Sequence, residues 1–422
     1  MLYDHQKKII DADPKYTGLW LGTGSGKTRT ALMLARGSTL VICPKTQFED
    51  GNWEREWTSI VDERAKNASD FPRIKTLVVI SKEMFRRDWE ELLKFDTVIV
   101  DEAHTCLGAT PNVRYKNRQA IPKTSQLFEA LEGYVAKHKP SRLYLCTATI
   151  IRSPMTVWAA ARVLGKRWDF YEFRSAFYVK LPMPGREVWR PKSDSATKDR
   201  LAKAVQGLGY VGRLEDFFDV PEQTYRTIYL DTNKKQKDAI KELKFIYPEP
   251  IVRVGKQHQI ENGVLAGDLF SVAQKFDCEK TEAIKELAIE FPRMVVFAKY
   301  RQQINILEYE LKQEGYKVLT LTGDTKNRGE LIAEANASKK CILIAQAQIS
   351  AGWELPEYPV MVFASRTYSF VDYAQSLGRI QRANNIKKNL YINLVVRGGV
   401  DEAVDDCLTN KKDFDERIYL NI

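Results

Sequence analysis

The stretch that decides the fold is Gly18-Leu19-Trp20-Leu21, followed directly by Gly22-Thr23-Gly24-Ser25-Gly26-Lys27-Thr28. The first four residues form a short apolar run, the following residues are rich in glycine, and residues 27–36 are a good helix sequence. A strand, a glycine-rich loop and a helix in this order is the arrangement that a phosphate-binding loop requires. The glycines let backbone N–H groups close around phosphates, and the helix N-terminus adds a favourable dipole.

This Walker A pattern predicts a role for each of its residues. We expect Lys27 to reach the β and γ phosphates of a nucleotide and the Thr28 hydroxyl to bind Mg²⁺. The strict pattern places a glycine at position 21, where this chain has Leu21. The residues predicted to contact the nucleotide here are Gly22, Thr23, Gly24, Ser25, Gly26, Lys27 and Thr28.

Short apolar, β-branched runs recur along the chain and alternate with helical patterns. This alternation indicates parallel sheets that are covered by helices on both faces. Because the runs fall into two series, the sequence predicts two doubly wound α/β domains. The first series is 18–21, 39–42, 76–80, 97–100 and 142–146, and the second is 294–298, 317–321, 341–345, 360–364 and 389–396.

A second motif is Val98-Ile99-Val100-Asp101-Glu102-Ala103-His104, a DEAH-box sequence. Its apolar strand delivers two adjacent acids to the carboxyl end of the strand, where ligands bind in open α/β sheets. We expect Asp101 to hold Mg²⁺ through water. We expect Glu102 to position and deprotonate the attacking water as a general base.

A third motif, Gln375-Ser376-Leu377-Gly378-Arg379-Ile380-Gln381-Arg382, lies in the second series. Residues three apart share a helix face, so Arg379 and Arg382 are predicted to lie side by side. Guanidinium groups are suited to the charge that develops on a transferring phosphoryl group. The two arginines are therefore candidate arginine fingers.

These three motifs, in this order, resemble those of superfamily 2 helicases and translocases, and the resemblance spans almost the whole chain. It implies two RecA-like helicase domains, 1–165 and 281–422, joined by a helical and irregular insertion and linker over 166–280. It also implies that Tyr3-Asp4-His5-Gln6 recognises adenine through Gln6, and that Gln375, Arg379 and Arg382 complete the nucleotide site. ATP and Mg²⁺ are accordingly the expected substrate and cofactor.

Other segments resemble particular branches of this superfamily. Cys43-Pro44-Lys45-Thr46, with Asn52-Trp53-Glu54-Arg55-Glu56-Trp57 after it, is similar to motif Ia of the Swi/Snf-type branch. Gly352-Trp353-Glu354-Leu355-Pro356 is closer to branch-migrating phage and bacterial helicases. The compactness of the chain resembles phage-encoded members. By motif position, the candidate nucleic-acid contacts are Lys45, Thr46, Ser81, Lys299, Thr322, Ser350 and Trp353.

Some of these residues have a second interpretation. Trp353 suits either base stacking or a place in the core. The basic segment 112–123, which contains Arg114, Lys116, Arg118 and Lys123, either lines a nucleic-acid path or is simply solvated. The sequence leaves both choices open.

Composition narrows the class of protein. The chain has 422 residues and carries 65 Lys and Arg against 55 Asp and Glu, a net charge of +10 that favours an anionic partner. Its six cysteines form no C-x-x-C pair and it has four histidines, so a zinc site or a disulfide framework is not expected. No apolar run approaches the length of a membrane helix, and we expect a cytoplasmic protein of bacterial or phage-infected cells, without a membrane partner.

The predicted activity is that of an ATP-dependent DNA helicase or translocase, acting as a monomer on single-stranded, duplex or branched DNA. Two alternatives remain at this point. One is an RNA-directed helicase, because these motifs do not distinguish the two nucleic acids. The other is a nucleotide-gated binding scaffold without hydrolysis, against which the presence of Glu102, Arg379 and Arg382 argues.

Overall fold

In a computed structural model, the described residues are 2–65, 74–116, 118–182, 187–349, 353–381 and 388–410. The chain divides into two compact units, residues 1–219 and 220–422. Each unit is built around a parallel sheet with helices on its faces.

The first unit contains a sheet of six parallel strands among its described residues, in the order β10-β1-β7-β4-β2-β3. Two antiparallel hairpins accompany it, β5–β6 and β8–β9. Its strands are β1 Tyr16–Leu21, β2 Gly37–Cys43, β3 Ile74–Ser81, β4 Thr97–Val100, β5 Ala109–Lys116, β6 Gln119–Thr124, β7 Arg142–Cys146, β8 Tyr178–Leu181, β9 Val188–Pro191 and β10 Gly209–Gly212.

The helices of the first unit cover both faces of this sheet. They are α1 Asp4–Asp11, α2 Lys27–Leu34, α3 Lys45–Glu49, α4 Asn52–Ala65, α5 Lys82–Asp88, α6 Gln126–His138, α7 Pro154–Val163, α8 Phe170–Phe177 and α9 Ser195–Gln206, with 3₁₀ turns at Ala103–Thr105 and Leu214–Asp216. Side chains alternate between the two faces along each strand. In β1, Trp20 therefore packs into one core, while Leu19 and Leu21 pack into the other.

The second unit repeats this plan with the strand order β11-β18-β17-β14-β16-β15, again all parallel among the described residues. Its strands are β11 Thr224–Leu230, β12 Val264–Leu265, β13 Gln274–Lys275, β14 Arg293–Ala298, β15 Val318–Leu321, β16 Cys341–Gln346, β17 Val360–Phe363 and β18 Leu390–Val396. Its helices are α10 Lys234–Ile246, α11 Pro250–Glu261, α12 Glu279–Glu290, α13 Arg301–Gln313, α14 Arg328–Ala337, α15 Phe370–Leu377 and α16 Val400–Thr409.

Two doubly wound parallel α/β sheets of RecA-like type confirm the predicted fold class. The boundaries of the units differ from those expected at 165 and 280, because the intervening segment contributes to both sheets. β10 forms an edge strand of the first sheet, and β11 forms an edge strand of the second. Helices α8 and α9 of this segment also pack on the first core, where Phe170, Phe173 and Phe177 are buried.

Among the described residues, none of the helices is both long and apolar enough to span a bilayer.

Candidate functional site

The phosphate-binding loop connects β1 to α2, as the sequence predicts. Gly24 and Gly26 both adopt a left-handed φ of 80°, and α2 begins at Lys27. The buried Ser25 hydroxyl donates to the Gly22 carbonyl at 2.6 Å and closes the turn. The Lys27 ammonium donates to the carbonyls of Leu21, at 2.9 Å, and Gly22, at 3.1 Å, so it lies across the mouth of the loop.

Helix α1 fixes this loop from behind. Gln6 is buried, and its amide N–H groups donate to the Gly26 carbonyl at 3.0 Å and to the Thr30 hydroxyl at 3.2 Å. Its amide oxygen accepts from the backbone N–H of Tyr3 at 2.9 Å. Both N–H donors of Gln6 are thus used within the protein, and its predicted recognition of adenine would require one of them to be released.

His5 also contacts the loop, which sequence analysis did not foresee. Its Nε2 lies 2.9 Å from the Ser25 carbonyl, and its ring stacks on Phe217 with 4.0 Å between the ring centres. The contact with Phe217 ties the start of the chain to the segment after β10. Local sequence could not indicate the contact between His5 and Phe217, because the two residues lie more than two hundred positions apart.

The acidic motif lies at the carboxyl end of β4, two strands away from β1 in the sheet. Asp101 is buried, and its carboxylate accepts from the indole N–H of Trp53 at 3.3 Å and from the Glu102 backbone N–H at 2.9 Å. Burial and the neighbouring charge of Glu102 raise the pKa of Asp101, while Lys82 and Lys27 oppose this shift. The pair therefore depends on nearby cations to hold two negative charges.

Glu102 is held in a strained, left-handed conformation with φ 42° and ψ 50°. Burial opposes its ionisation, but the His104 hydrogen bond and the Lys27 charge outweigh it and hold the pKa of Glu102 at about 2. The carboxylate also accepts from the Thr147 hydroxyl at 3.3 Å, and Thr147 lies 2.8 Å from the His104 Nδ1. Glu102 is thus linked directly to the segment that follows β7, the strand between β1 and β4.

Lys82 is a further member of this site that sequence analysis missed. It is 7% exposed, and its ammonium donates to the Glu102 carbonyl at 2.9 Å and to the Thr105 hydroxyl at 2.6 Å. It supplies a buried positive charge beside the acidic pair. A lysine at the start of a helix is usually solvated, so nothing local in the sequence marks it.

The residues present fit a nucleotide with Mg²⁺. The Lys27 ammonium donates to two carbonyl oxygens of the loop, and phosphate oxygens can take the place of these acceptors. A loop with two left-handed glycines can turn backbone N–H groups towards an anion. A hydroxyl from Thr28 and a carboxylate from Asp101 are the oxygen donors that Mg²⁺ prefers. The predicted phosphate and metal donors of Lys27, Thr28 and Asp101 all belong to the first unit.

The nucleic-acid candidates in the first unit differ in accessibility. Lys45 is exposed at the start of α3 and pairs with Glu49 at 3.5 Å, and Thr46 is half-buried beside it. Ser81 is buried and caps α5, because its hydroxyl accepts from the Met84 backbone N–H at 3.2 Å. Ser81 therefore has a structural role, whereas Lys45 remains placed to bind phosphate.

In the second unit, the half-buried Lys299 follows β14 directly, and its ammonium lies over the Tyr368 ring, 3.1 Å from the centre. Thr322 follows β15, and its backbone N–H donates to the Thr325 hydroxyl at 2.9 Å. Ser350 lies outside the described residues.

Of the two interpretations of Trp353, the structure favours a place in the core over base stacking. The side chain is 6% exposed, stacks on Phe297 within the core and donates to the Ile349 carbonyl at 2.7 Å. Burying so large an apolar surface stabilises the core more than a solvated loop position would. The core interpretation of Trp353 is the correct one.

The arginine motif is not a continuous helix face. Helix α15 ends at Leu377 with Gly378 as its C-cap, so Arg379 lies beyond the helix. Arg379 is 6% exposed, and its guanidinium donates to the Gln375 and Trp353 carbonyls, each at 3.0 Å. Gln375 is buried as well. Arg382 lies outside the described residues.

The second unit also contains a buried ionic network that sequence analysis did not predict. The Lys280 ammonium, 1% exposed, donates to the Asp401 carboxylate at 2.8 Å, the Asn262 side chain at 2.7 Å and the Ala364 carbonyl at 2.7 Å. His258 contacts the other Asp401 oxygen at 3.2 Å. Although burial opposes it, Lys280 and His258 hold the pKa of Asp401 well below its usual range.

This network lies directly beneath Lys299. His258 also contacts the hydroxyls of Tyr300, at 2.8 Å, and Tyr368, at 3.1 Å, and Tyr368 is the ring that carries the Lys299 ammonium. Burial lowers the pKa of His258 to about 4, so at neutral pH it is an uncharged hydrogen-bonding link. The network therefore fixes the loops at the carboxyl ends of β14 and β17.

Comparison with known proteins finds a family model that matches part of the second unit. Residues 279–384 match the family model described as "Helicase conserved C-terminal domain". The ATP-dependent RNA helicase DBP3 of Kluyveromyces lactis is 24% identical over 143 residues, which is 32% of this chain and 28% of that protein. DBP3 of Eremothecium gossypii is 24% identical over 139 residues, 31% of this chain and 26% of that protein.

The matched region thus spans little more than a quarter of these curated relatives. Among solved structures, the Sulfolobus solfataricus SWI2/SNF2 ATPase core in complex with dsDNA aligns with 97% of this chain and 91% of its own, at 17% identity and a TM-score of 0.39. The resemblance to superfamily 2 helicases is confirmed. Assignment to a phage-encoded branch stays a prediction.

The contact between Gln6 and the loop yields a test with a matched control. A methyl group on Gly26 would lie 2.4 Å from the Gln6 amide nitrogen, whereas one on Gly165, with the same left-handed φ, would meet nothing within 4 Å. Gly165→Ala should cost about 1–2 kcal/mol of unfolding free energy from backbone strain alone. Gly26→Ala should cost more and should also weaken ATP binding, as measured by urea unfolding and nucleotide titration. Equal losses in both variants would show that Gln6 does not support the loop.

Proposed function

Because the chain resembles the superfamily 2 helicases, we propose that it is an ATP-dependent DNA helicase or translocase. It couples ATP hydrolysis to movement along DNA or to DNA remodelling, with branched or forked DNA as the preferred substrate. The observation that carries the proposal is the arrangement of Lys27, Glu102 and Thr147 at the carboxyl ends of three neighbouring strands. Such an edge is where α/β sheets bind ligands.

In this proposal, the residues of the first unit share the chemistry of hydrolysis. Lys27 exchanges its two carbonyl partners for the β and γ phosphate oxygens. Glu102 is ionised at neutral pH, so its carboxylate can orient the attacking water and accept its proton. Magnesium, when bound by Thr28 and Asp101, neutralises negative charge on the phosphates.

Thr147 and His104 give this site a means of coupling to the rest of the protein. Both contact the same carboxylate oxygen of Glu102, at 3.3 Å and 3.4 Å, and the Thr149 N–H donates to the Thr147 hydroxyl at 3.1 Å. A change in the partner of Glu102 during hydrolysis would therefore alter the hydrogen bonding of residues 147–149. We assign the coupling role to this segment.

The choice of DNA rests on the similarity of the segment around Lys45 to the Swi/Snf-type branch. The net charge of +10 supports binding to a phosphate backbone but does not choose between nucleic acids. The second candidate is an RNA helicase, which is favoured by the two relatives named as RNA helicases. Substrate preference is therefore part of the test below.

Glu102→Gln tests the proposal most simply. The variant should bind ATP and nucleic acid with near-normal affinity but hydrolyse ATP very slowly, because an amide cannot accept a proton. Lys27→Ala should lose nucleotide binding or turnover, and Glu83→Gln, an exposed acid in the first turn of α5, serves as the control. Hydrolysis is measured with single-stranded DNA, duplex DNA, forked DNA and RNA.

We expect DNA to stimulate wild-type hydrolysis more than RNA, with forked DNA giving the largest effect. Turnover by Glu102→Gln at the wild-type rate would remove the basis for its catalytic role. If RNA stimulates hydrolysis as well as every DNA does, the RNA-helicase candidate replaces the DNA proposal.

The arginine finger is assigned here to Arg382, because the Arg379 guanidinium already donates to two backbone carbonyls inside the second unit. Arg382→Ala should lower hydrolysis by about 10³-fold or more while leaving ATP affinity nearly unchanged. Arg379→Ala should instead lower the unfolding free energy, because it leaves buried carbonyls without donors. Turnover, ATP titration and urea unfolding of both variants separate the two roles. The reverse pattern would make Arg379 the finger.

A further inference from the structure

The β5–β6 hairpin, described over residues 109–116 and 118–124, is a prominent feature of the first unit that the nucleotide site does not use. Its strands pair in the register Arg114↔Ile121, Tyr115↔Ala120 and Lys116↔Gln119. Successive side chains along a strand point to opposite faces, so Arg114 and Lys116 lie on one face and Tyr115 lies on the other. Tyr115 is 77% exposed, which is unusual for so large a ring.

All charged side chains of this hairpin are positive. Arg114, Lys116, Arg118 and Lys123 are all exposed, and residues 109–124 contain no acidic residue. Arg114 pairs with Glu129 of α6 at 2.6 Å, and this contact anchors the base of the hairpin. The cations nearer the tip face solvent, which gives the hairpin a strong attraction for a polyanion.

The hairpin is held firmly at its base. Thr124 donates to Glu129 at 2.7 Å, and the Ser125 N–H donates to the Gly108 carbonyl at 2.8 Å. On the other strand, the Arg174 guanidinium of α8 donates to the Pro111 carbonyl at 3.1 Å and lies 4.1 Å from the centre of the Trp189 ring. These contacts position the exposed tip on a rigid support, as a binding element requires.

The turn contains a cation where glycine would be favoured. Arg118 has a φ of 64°, a left-handed conformation that costs a non-glycine residue energy. Local turn formation therefore does not account for arginine at this position. A strained residue on an exposed tip is more consistent with a contact outside the chain.

We propose that the β5–β6 hairpin is a binding site for single-stranded DNA, with Arg118 and Lys116 on the phosphates and Tyr115 stacked on a base. An exposed aromatic ring together with nearby cations is the combination that binds single strands, because the cations contact phosphates and every base offers a face for stacking. The inference rests on the proposed function and adds a contact outside the nucleotide site. It assigns the basic segment 112–123, for which the sequence left two interpretations, to nucleic-acid binding.

Arg118→Gly provides the sharpest test, and Lys139→Gly is its matched control. Lys139 is an exposed cation with a φ of 46° at the C-cap of α6, so both variants remove one charge and one left-handed side chain. Both should keep or increase stability. Only Arg118→Gly should weaken binding of a fluorescent single-stranded oligonucleotide, and it should reduce the log–log salt slope by about 0.7.

Tyr115→Ala should weaken binding of the same oligonucleotide by about 5- to 150-fold, the loss expected for one stacked base. It should affect a blunt duplex much less, because paired bases are not available for stacking. Basal ATP hydrolysis without DNA should stay unchanged in all three variants.

The outcomes separate this inference from the proposed function. If wild-type protein hydrolyses ATP in response to DNA but Arg118→Gly binds it as Lys139→Gly does, the hairpin assignment is wrong and the proposed function stands. If the variants weaken RNA binding and leave DNA binding intact, the occupant is not DNA. If wild-type protein binds no single-stranded DNA but hydrolyses ATP in response to duplex or forked DNA, the hairpin assignment fails and the proposed function stands.

Discussion

Two adjacent carboxylates at the end of a buried strand impose the constraint on which the rest of the site depends. Asp101 is buried and Glu102 is half-buried directly after β4, and an unpaired charge that is buried costs several kcal/mol. The surrounding residues stabilise the two carboxylates. Lys82 and Lys27 supply positive charge, and Trp53, His104 and Thr147 supply hydrogen bonds. The site is therefore a single electrostatic unit.

In the proposed function, this constraint also makes the charge balance around Glu102 depend on bound nucleotide. Lys27 neutralises the acidic pair, yet in the proposed reaction it is drawn towards phosphate. Binding of nucleotide with its cation then replaces one set of charges by another around Glu102. The contacts of Glu102 with Thr147 make residues 147–149 the first part of the chain to experience that exchange.

The second unit also contains buried charges that must be paired, but these support the loop of Lys299. Lys280, Asp401 and His258 form a buried network, and Tyr300 and Tyr368, which contact His258, support Lys299. Buried ion pairs contribute little net stability but are strongly destabilising when broken. The network thus restricts the Lys299 loop to one arrangement, which suits a residue proposed to hold a nucleic-acid backbone.

Sequence alone predicted ten of the twelve strands described in the two parallel sheets, and the phosphate-binding loop, because continuous apolar runs and a glycine-rich turn are strong local signals. It missed β10 and β11, which are edge strands: the first is Gly-Tyr-Val-Gly, and the second is half-exposed and lacks an apolar run. Lys82, His5 and the Lys280 network were missed because their roles depend on partners distant in the chain. Trp353 kept two interpretations at the sequence level because its motif position says nothing about burial.

The central claim is that hydrolysis at this site drives movement along DNA, and strand displacement tests it most directly. A third DNA strand annealed to a duplex leaves only when a protein moves through it. Wild-type protein with ATP should displace the third strand, and Glu102→Gln, which still binds ATP and DNA, should not. Rapid DNA-stimulated hydrolysis by the wild-type protein without any displacement would contradict the account.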